Sequence, residues 1–301
     1  ALAMGESETL RNRRTVVYYY ADESGAPILD PSDAQILNGA NARAGRLGLN
    51  LLSMSKTPLD FARALGNGLA GDLRGVLLDW AAYGMAESLR RRGVPFVLLE
   101  ETLGNEEGLC ILQDNAGGTM QALEYLLERG HRDIGLVVNN STHVHTTERM
   151  AAYGSFLEER KLPRRREWVA QAPPGRGEAG MSAILDAAER PTAVFVGSYG
   201  LLPGVLRELR HRRMRWPEDM ALAAWGGSRS RERDAGDTPV AKIWWSGEQM
   251  GRMAVDALQR IVEGPGIERR VVRVPTKLCS EKEAFGQSVR KSKQNRKKEI
   301  P

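Results

Sequence analysis

The sequence predicts an α/β protein with parallel sheets covered by helices on both faces. Three observations predict it. Short runs such as TVVYYY (15–20), GVLLDW (75–80) and VPFVLLE (94–100) are apolar at consecutive positions, the pattern of strands buried on both faces. Between them, apolar residues recur every three or four positions, as on one face of a helix. Regular strand–helix alternation then calls for parallel pairing through right-handed crossovers. The 301 residues, 42% hydrophobic and 27% charged, suit one large or two ordinary soluble domains.

Residues 1–14 are polar, end in RNRR, and read as a linker entering the domain. The first strand, 15–20, is β-branched and aromatic. Asp22, Gly25, Pro27 and Asp30 give the next segment turn chemistry. Ile36, Leu37, Ala40, Ala44 and Leu47 mark an amphipathic helix that Gly48 ends, and LNLLSM (49–54) is the second strand. A helix over 58–69, a strand over 75–80, a helix over 84–92 and a strand over 94–100 follow.

The stretch from Gln113 to Val138 is a complete helix-to-strand unit. Asp114 and Asn115 are N-cap residues, able to accept the free N–H groups of a first turn. Met120, Leu123 and Leu127 share one face, and Gly130 suits the left-handed position after a helix. Ile134, Leu136, Val137 and Val138 form the strand. The alternation continues with a helix within 142–159, a short strand at 168–170, a helix over 178–188 and a strand over 191–197. A helix over 201–210, the segment 216–227 and a charged loop over 228–237 follow. The helix-bearing segment 241–264 and a closing strand over 271–280 complete the chain.

No uninterrupted apolar run approaches the roughly 20 residues of a membrane helix. The N-terminus has no apolar signal core, so export is not expected. The chain begins at Ala1 and reads as a fragment or a processed product. Cys110 and Cys279 lie in apolar contexts and read as reduced, buried thiols, with a disulfide left open. Net charge is +5, and the tail 286–301, with six basic residues and one acidic, carries all of it. The body is therefore near neutral, which argues against a broad nucleic-acid face. The tail lacks interleaved aromatics and reads as a solvated, flexible end.

Enzyme signatures are missing: no GxxxxGK[ST] phosphate loop, HExxH or GxSxG elbow occurs. No enzyme activity, cofactor or metal is expected. His143 and His145, two apart, are too few ligands for a stable metal site. His131 reads as a structural hydrogen-bonding residue.

The order DN, GG, leucine-rich helix, GHRDI resembles the effector-binding domain of the LacI/GalR family of bacterial transcription regulators. RGVPFVLLE, WPEDMALAAWGG (216–227), AKIWWSGEQMGRMAVDALQRIVEG (241–264) and VVRVPTKLCS (271–280) continue the resemblance, which covers residues 14–284. Glu281 stands where the family usually has Arg.

The resemblance implies a two-lobed periplasmic-binding-protein-like fold, each lobe a parallel sheet flanked by helices, with three crossings. These fall near 112–114, 243–246 and 273–275. They give one lobe of 15–112 plus 245–272 and another of 113–244 plus 273–285. It also implies a cytoplasmic homodimer whose effector, sugar-like, binds in the cleft at the strand ends and shifts the population of lobe arrangements. Family members contact operator DNA through an N-terminal helix-turn-helix, which this chain does not include. A periplasmic-type solute-binding protein, or a regulator domain without a sugar ligand, are the alternatives.

Site residues follow from the same match. Arg149 fits the arginine of the family's R..Gy pattern, here RMAAY, with Ala152 replacing the glycine. A guanidinium suits ligand oxygens because its donors form a fixed fork. Tyr199, beside Ser198, and Gly226 stand where sugar-binding members carry aspartates. Trp225, Tyr199 and one of Trp244 and Trp245 offer aromatic faces instead. Asp22 and Glu101, after the first and fourth strands, are candidate acids.

Overall fold

The computed structural model describes residues 12–20, 33–79, 83–102, 108–226, 240–264 and 270–279. They form two compact units. Unit 1 holds the residues up to Gln113 together with Ser246–Val274, and unit 2 holds Asp114–Trp245 and the residues from Pro275.

Unit 1 is a six-stranded sheet with strands β1 (Thr15–Tyr19), β2 (Asn50–Met54), β3 (Leu73–Asp79), β4 (Phe96–Leu99), β5 (Leu109–Gln113) and β11 (Arg270–Val274), in the order β11-β5-β4-β3-β1-β2. Every pairing in it is parallel. Consecutive residues of β1 are buried because alternate side chains enter different layers. Val17 and Tyr19 pack with Phe61, Leu65, Met85 and Leu89 of the helices α2 (Pro58–Ala64) and α3 (Tyr83–Arg91) and the turn after α2. Thr57 starts α2, its hydroxyl accepting from Asp60 N at 3.1 Å, with Pro58 at the first helical position. The expected single helix over 58–69 breaks after Ala64 into a π-helical turn, Leu65–Leu69. Two of the five residues there, Gly66 and Gly68, have weak helix propensity.

The helices α1 (Asp33–Arg46) and α8 (Gly247–Glu263) pack against each other at backbone distance. A Cβ on Gly251 would stand 1.9 Å from Ile36 O, and one on Gly39 would stand 2.1 Å from Glu248 O. Only glycine at these two points allows the approach. Ser246 caps α8 by accepting from Gln249 N at 3.1 Å.

Unit 2 contains β6 (Ile134–Asn139), β7 (Val169–Ala172), β8 (Ala193–Val196), β9 (Ala221–Trp225), β10 (Ala241–Trp244) and β12 (Lys277–Cys279), ordered β12-β10-β9-β8-β6-β7. Leu136, Val138, Phe195, Ala223 and Ile243 face α4 (Asn115–Glu128) and α5 (Val144–Glu159), meeting Leu123, Tyr153, Phe156 and Leu157. The alternate residues Val137, Val194, Val196, Leu222 and Ala224 face α6 (Gly177–Leu185) and α7 (Leu202–His211). α4 forms as its sequence dictates. Asp114 Oδ1 accepts from Gly117 N at 3.0 Å, and Gly130 takes φ +90°.

The closing strand expected over 271–280 is two strands in two sheets, joined at Pro275. β11 pairs parallel with β5, and β12 pairs antiparallel with β10. Unit 2 is therefore a mixed sheet with an antiparallel edge, and not wholly parallel as expected. Pro275 lacks the N–H a continuous ladder needs. The loop 228–237, most of the linker, and the basic tail lie outside the described residues.

Gly251→Ala is expected to lower stability by about 3 kcal/mol, because two helix backbones must separate. Gly45→Ala, exposed on α1 with nothing within 4 Å of the added Cβ, is expected to raise it by about 0.5–1 kcal/mol. Urea midpoints of the two variants check both signs.

Candidate functional site

Open α/β sheets present ligand-binding groups at the carboxyl ends of their strands. In unit 2 those ends carry Asn139, Gly197-Ser198, Trp225-Gly226 and Trp244. Arg149, in the second turn of α5, reaches this end of the sheet although it is only 3% exposed. Its Nε donates to Asn115 Oδ1 at 2.9 Å and its Nη1 donates to Gly197 O at 2.8 Å. The guanidinium carbon lies 3.5 Å over the Trp225 ring, a cation–π contact. Asn115 is itself held, donating from Nδ2 to Glu148 Oε2 at 2.8 Å.

Trp225 is 2% exposed. One ring face lies under Arg149, and its ring edge presses on α4, where a Cβ on Gly118 would come within 2.7 Å of Cη2. The ring supports the guanidinium and is not an open stacking platform in this arrangement. Ser198 is buried, and its Oγ accepts from Asn139 N at 3.1 Å, tying β8 to β6. Tyr199 is half-buried and opens the 3-10 turn Tyr199–Leu201 before α7. Trp244 lies at the end of β10, with Lys242 Nζ 5.9 Å from its ring centre. At Gly226 a Cβ would stand 2.8 Å from Ile243 O and 3.3 Å from the Trp244 ring. A carboxylate side chain has no room there while Trp244 keeps its place.

Unit 1 gathers polar groups at its own strand ends. The Tyr18 hydroxyl donates to Asp79, which is fully buried. Burial first, then the charge and hydrogen bond of Asp79 and the charges of Asp33 and Glu100, raise the Tyr18 pKa far above its ordinary value. Glu100 is 3% exposed, takes φ +60°, and accepts from Gln113 Nε2 at 2.7 Å. Glu101, the acid expected from the sequence, is half-buried and accepts from its neighbour Thr102 N at 2.8 Å. Asp22 lies outside the described residues. Asp79 and Glu100 are not among the candidates the sequence offered, although each is a carboxylate directly after a run of apolar residues, VLL and FVLL, a usable signal.

His143 and His145 stack, with ring centres 5.6 Å apart. Among the described residues no group of three or more His, Cys, Asp or Glu is arranged to hold a metal. Burial, then the charges of Arg149 and His143, push the His145 pKa down to about 3 from 6.5. Among the described residues no helix is long and apolar enough to cross a membrane.

Residues 123–281 match the family of periplasmic binding protein-like domains. The chain is 28% identical to the HTH-type transcriptional repressor PurR of Edwardsiella ictaluri, across 62% of this chain and 55% of that protein. It is 25% identical to the ribose operon repressor of Haemophilus influenzae, across 62% of this chain and 57% of that one. The chain spans about half the length of the curated relatives it matches. Among solved structures, a complex of the transcriptional regulator CelR with cellobiose superposes with a TM-score of 0.75 at 26% identity, covering 92% of this chain and 86% of that one.

Two outcomes test this geometry. Gly118→Ala and Trp225→Phe are expected to be non-additive by about 1 kcal/mol in a double-mutant cycle, since the smaller ring relieves part of the clash. The folded pKa of His145 lies below its unfolded value, so the unfolded chain binds the proton first. Stability from this residue is fully present above pH 6.5 and lost as pH falls toward 3. Urea midpoints between pH 7 and 4 should fall less steeply in His145→Gln.

Proposed function

This chain belongs to the periplasmic binding protein-like domain family, as an effector-binding domain of the LacI/GalR kind, and we propose that Arg149 is its principal effector-binding group. The observation that carries this is the fixed guanidinium at the strand ends of unit 2, braced by Asn115, Gly197 and Trp225. Pre-organised donors bind ligand oxygens at a small entropic cost. Tyr199, half-buried at the same sheet end, supplies apolar surface suited to a sugar or sugar derivative, and Trp244, largely buried against Gly226, is a lesser candidate. Ser198 and Trp225 act behind the contact surface. Glu101 and Asp22 are secondary candidates for ligand hydroxyls.

In this reading the domain is a cytoplasmic sensor and not an enzyme. Effector binding favours one arrangement of a homodimer, and the DNA contact belongs to a helix-turn-helix of a longer regulator. One observation favours a second reading, a regulator domain that has lost ordinary sugar recognition. Gly226 has no space for a carboxylate, and Tyr199 replaces another, so two strong acceptors for sugar hydroxyls are gone.

Thermal-shift measurements against pentoses, hexoses, cellobiose, sugar phosphates and purines separate these. A ligand at 100-fold its Kd stabilises by about 2.7 kcal/mol. The expected result is a stabilising compound whose effect is lost in Arg149→Lys, which keeps the charge but not the planar fork. Silence across the panel favours the second reading, and a shift that survives in Arg149→Lys removes Arg149 from the site.

A further inference from the structure

We propose that Asn115 is a positioning residue for Arg149, and that Glu148 sets the orientation of Asn115. This rests on reading Arg149 as an effector-binding group. The arrangement is a chain of directed hydrogen bonds. Glu148 Oε2 takes its hydrogen bond from Asn115 Nδ2 at 2.8 Å. A carboxylate only accepts, so it selects the nitrogen end of the amide. The oxygen end must point the other way, and there it accepts from Arg149 Nε at 2.9 Å. An alternative amide orientation would set the carboxylate against the amide oxygen and the amide nitrogen against the guanidinium.

Each direction of the guanidinium then has its own restraint. Asn115 holds the Nε corner, Gly197 O holds Nη1 at 2.8 Å, and the Trp225 ring at 3.5 Å holds the face. A long side chain with several rotatable bonds becomes a fixed one. The ordering cost is met on folding and not on binding.

Position in the chain adds a consequence. Asn115 is the first residue of α4, immediately after Asp114, where the chain enters unit 2. The same turn carries Gly118, against which the Trp225 ring is seated. Corner and face restraints on Arg149 therefore both start in the first turn of α4.

The test uses ¹⁵N NMR of the Arg149 Nε–H in the 301-residue chain with no ligand added. The signal is identified by its loss in Arg149→Lys. Asn115→Ala is expected to speed exchange of this hydrogen with water at least about tenfold, since its acceptor is gone. Glu148→Ala should speed it too, and Glu148→Gln should restore slow exchange, because its amide oxygen still accepts from Asn115. Slow backbone exchange at Val138 and Val196 verifies that the sheet is intact. If Asn115→Ala does not fold, the Glu148 pair decides alone. Unchanged Nε–H exchange in Asn115→Ala, or equal exchange in Glu148→Ala and Glu148→Gln, overturns the proposal. Because no effector is present, a silent thermal-shift panel beside these exchange changes removes only the effector reading, and the converse pattern removes only the positioning role.

Discussion

Burial of both faces of each sheet is the constraint on which the rest of the structure depends. Strands such as β3, β8 and β9 are buried at every position, so neither of their faces is left to water. Helices must cover both sides, and their crossovers force parallel pairing. Polar chemistry is then confined to the strand ends. In unit 2 that end holds Arg149, Ser198 and Tyr199, and in unit 1 it holds Tyr18, Asp79 and Glu100.

Burying a guanidinium is costly unless its donors are met and its charge is stabilised. Arg149 is accommodated by an amide oxygen, a carbonyl and an aromatic face. Each of these has its own structural requirement. Trp225 requires glycine at 118, and Asn115 requires a defined start for α4, supplied by Asp114. The site is thus as much a property of α4 as of α5. That gives the run from Asp114 to Gly118 a role beyond starting a helix.

Two tryptophans fill the carboxyl end of the unit 2 sheet. Trp244 fills the space beside Gly226, and Trp225 fills the space under Arg149. A side chain at position 226 would meet Ile243 O and the Trp244 ring, so this end of the sheet is closed by aromatic packing.

Much was legible in the chain alone. Consecutive apolar residues set the strands, and the 3.6-residue period set the helices. Asp114 and Gly130 marked both ends of α4, because capping and the left-handed turn are local chemistry. The motif singled out Arg149, and the fold sets its guanidinium at the strand ends of unit 2. Long-range packing was not legible. The resemblance placed a crossing near 273–275, within VVRVPTKLCS, but that β12 pairs antiparallel with β10 depends on which neighbours accept each half. Nothing in the sequence tells that Trp225 lies beneath a guanidinium, that Glu100 and not Glu101 is buried, or that α1 and α8 touch through Gly39 and Gly251. Those contacts join residues up to about two hundred positions apart, and only the assembled layers of the tertiary structure decide them.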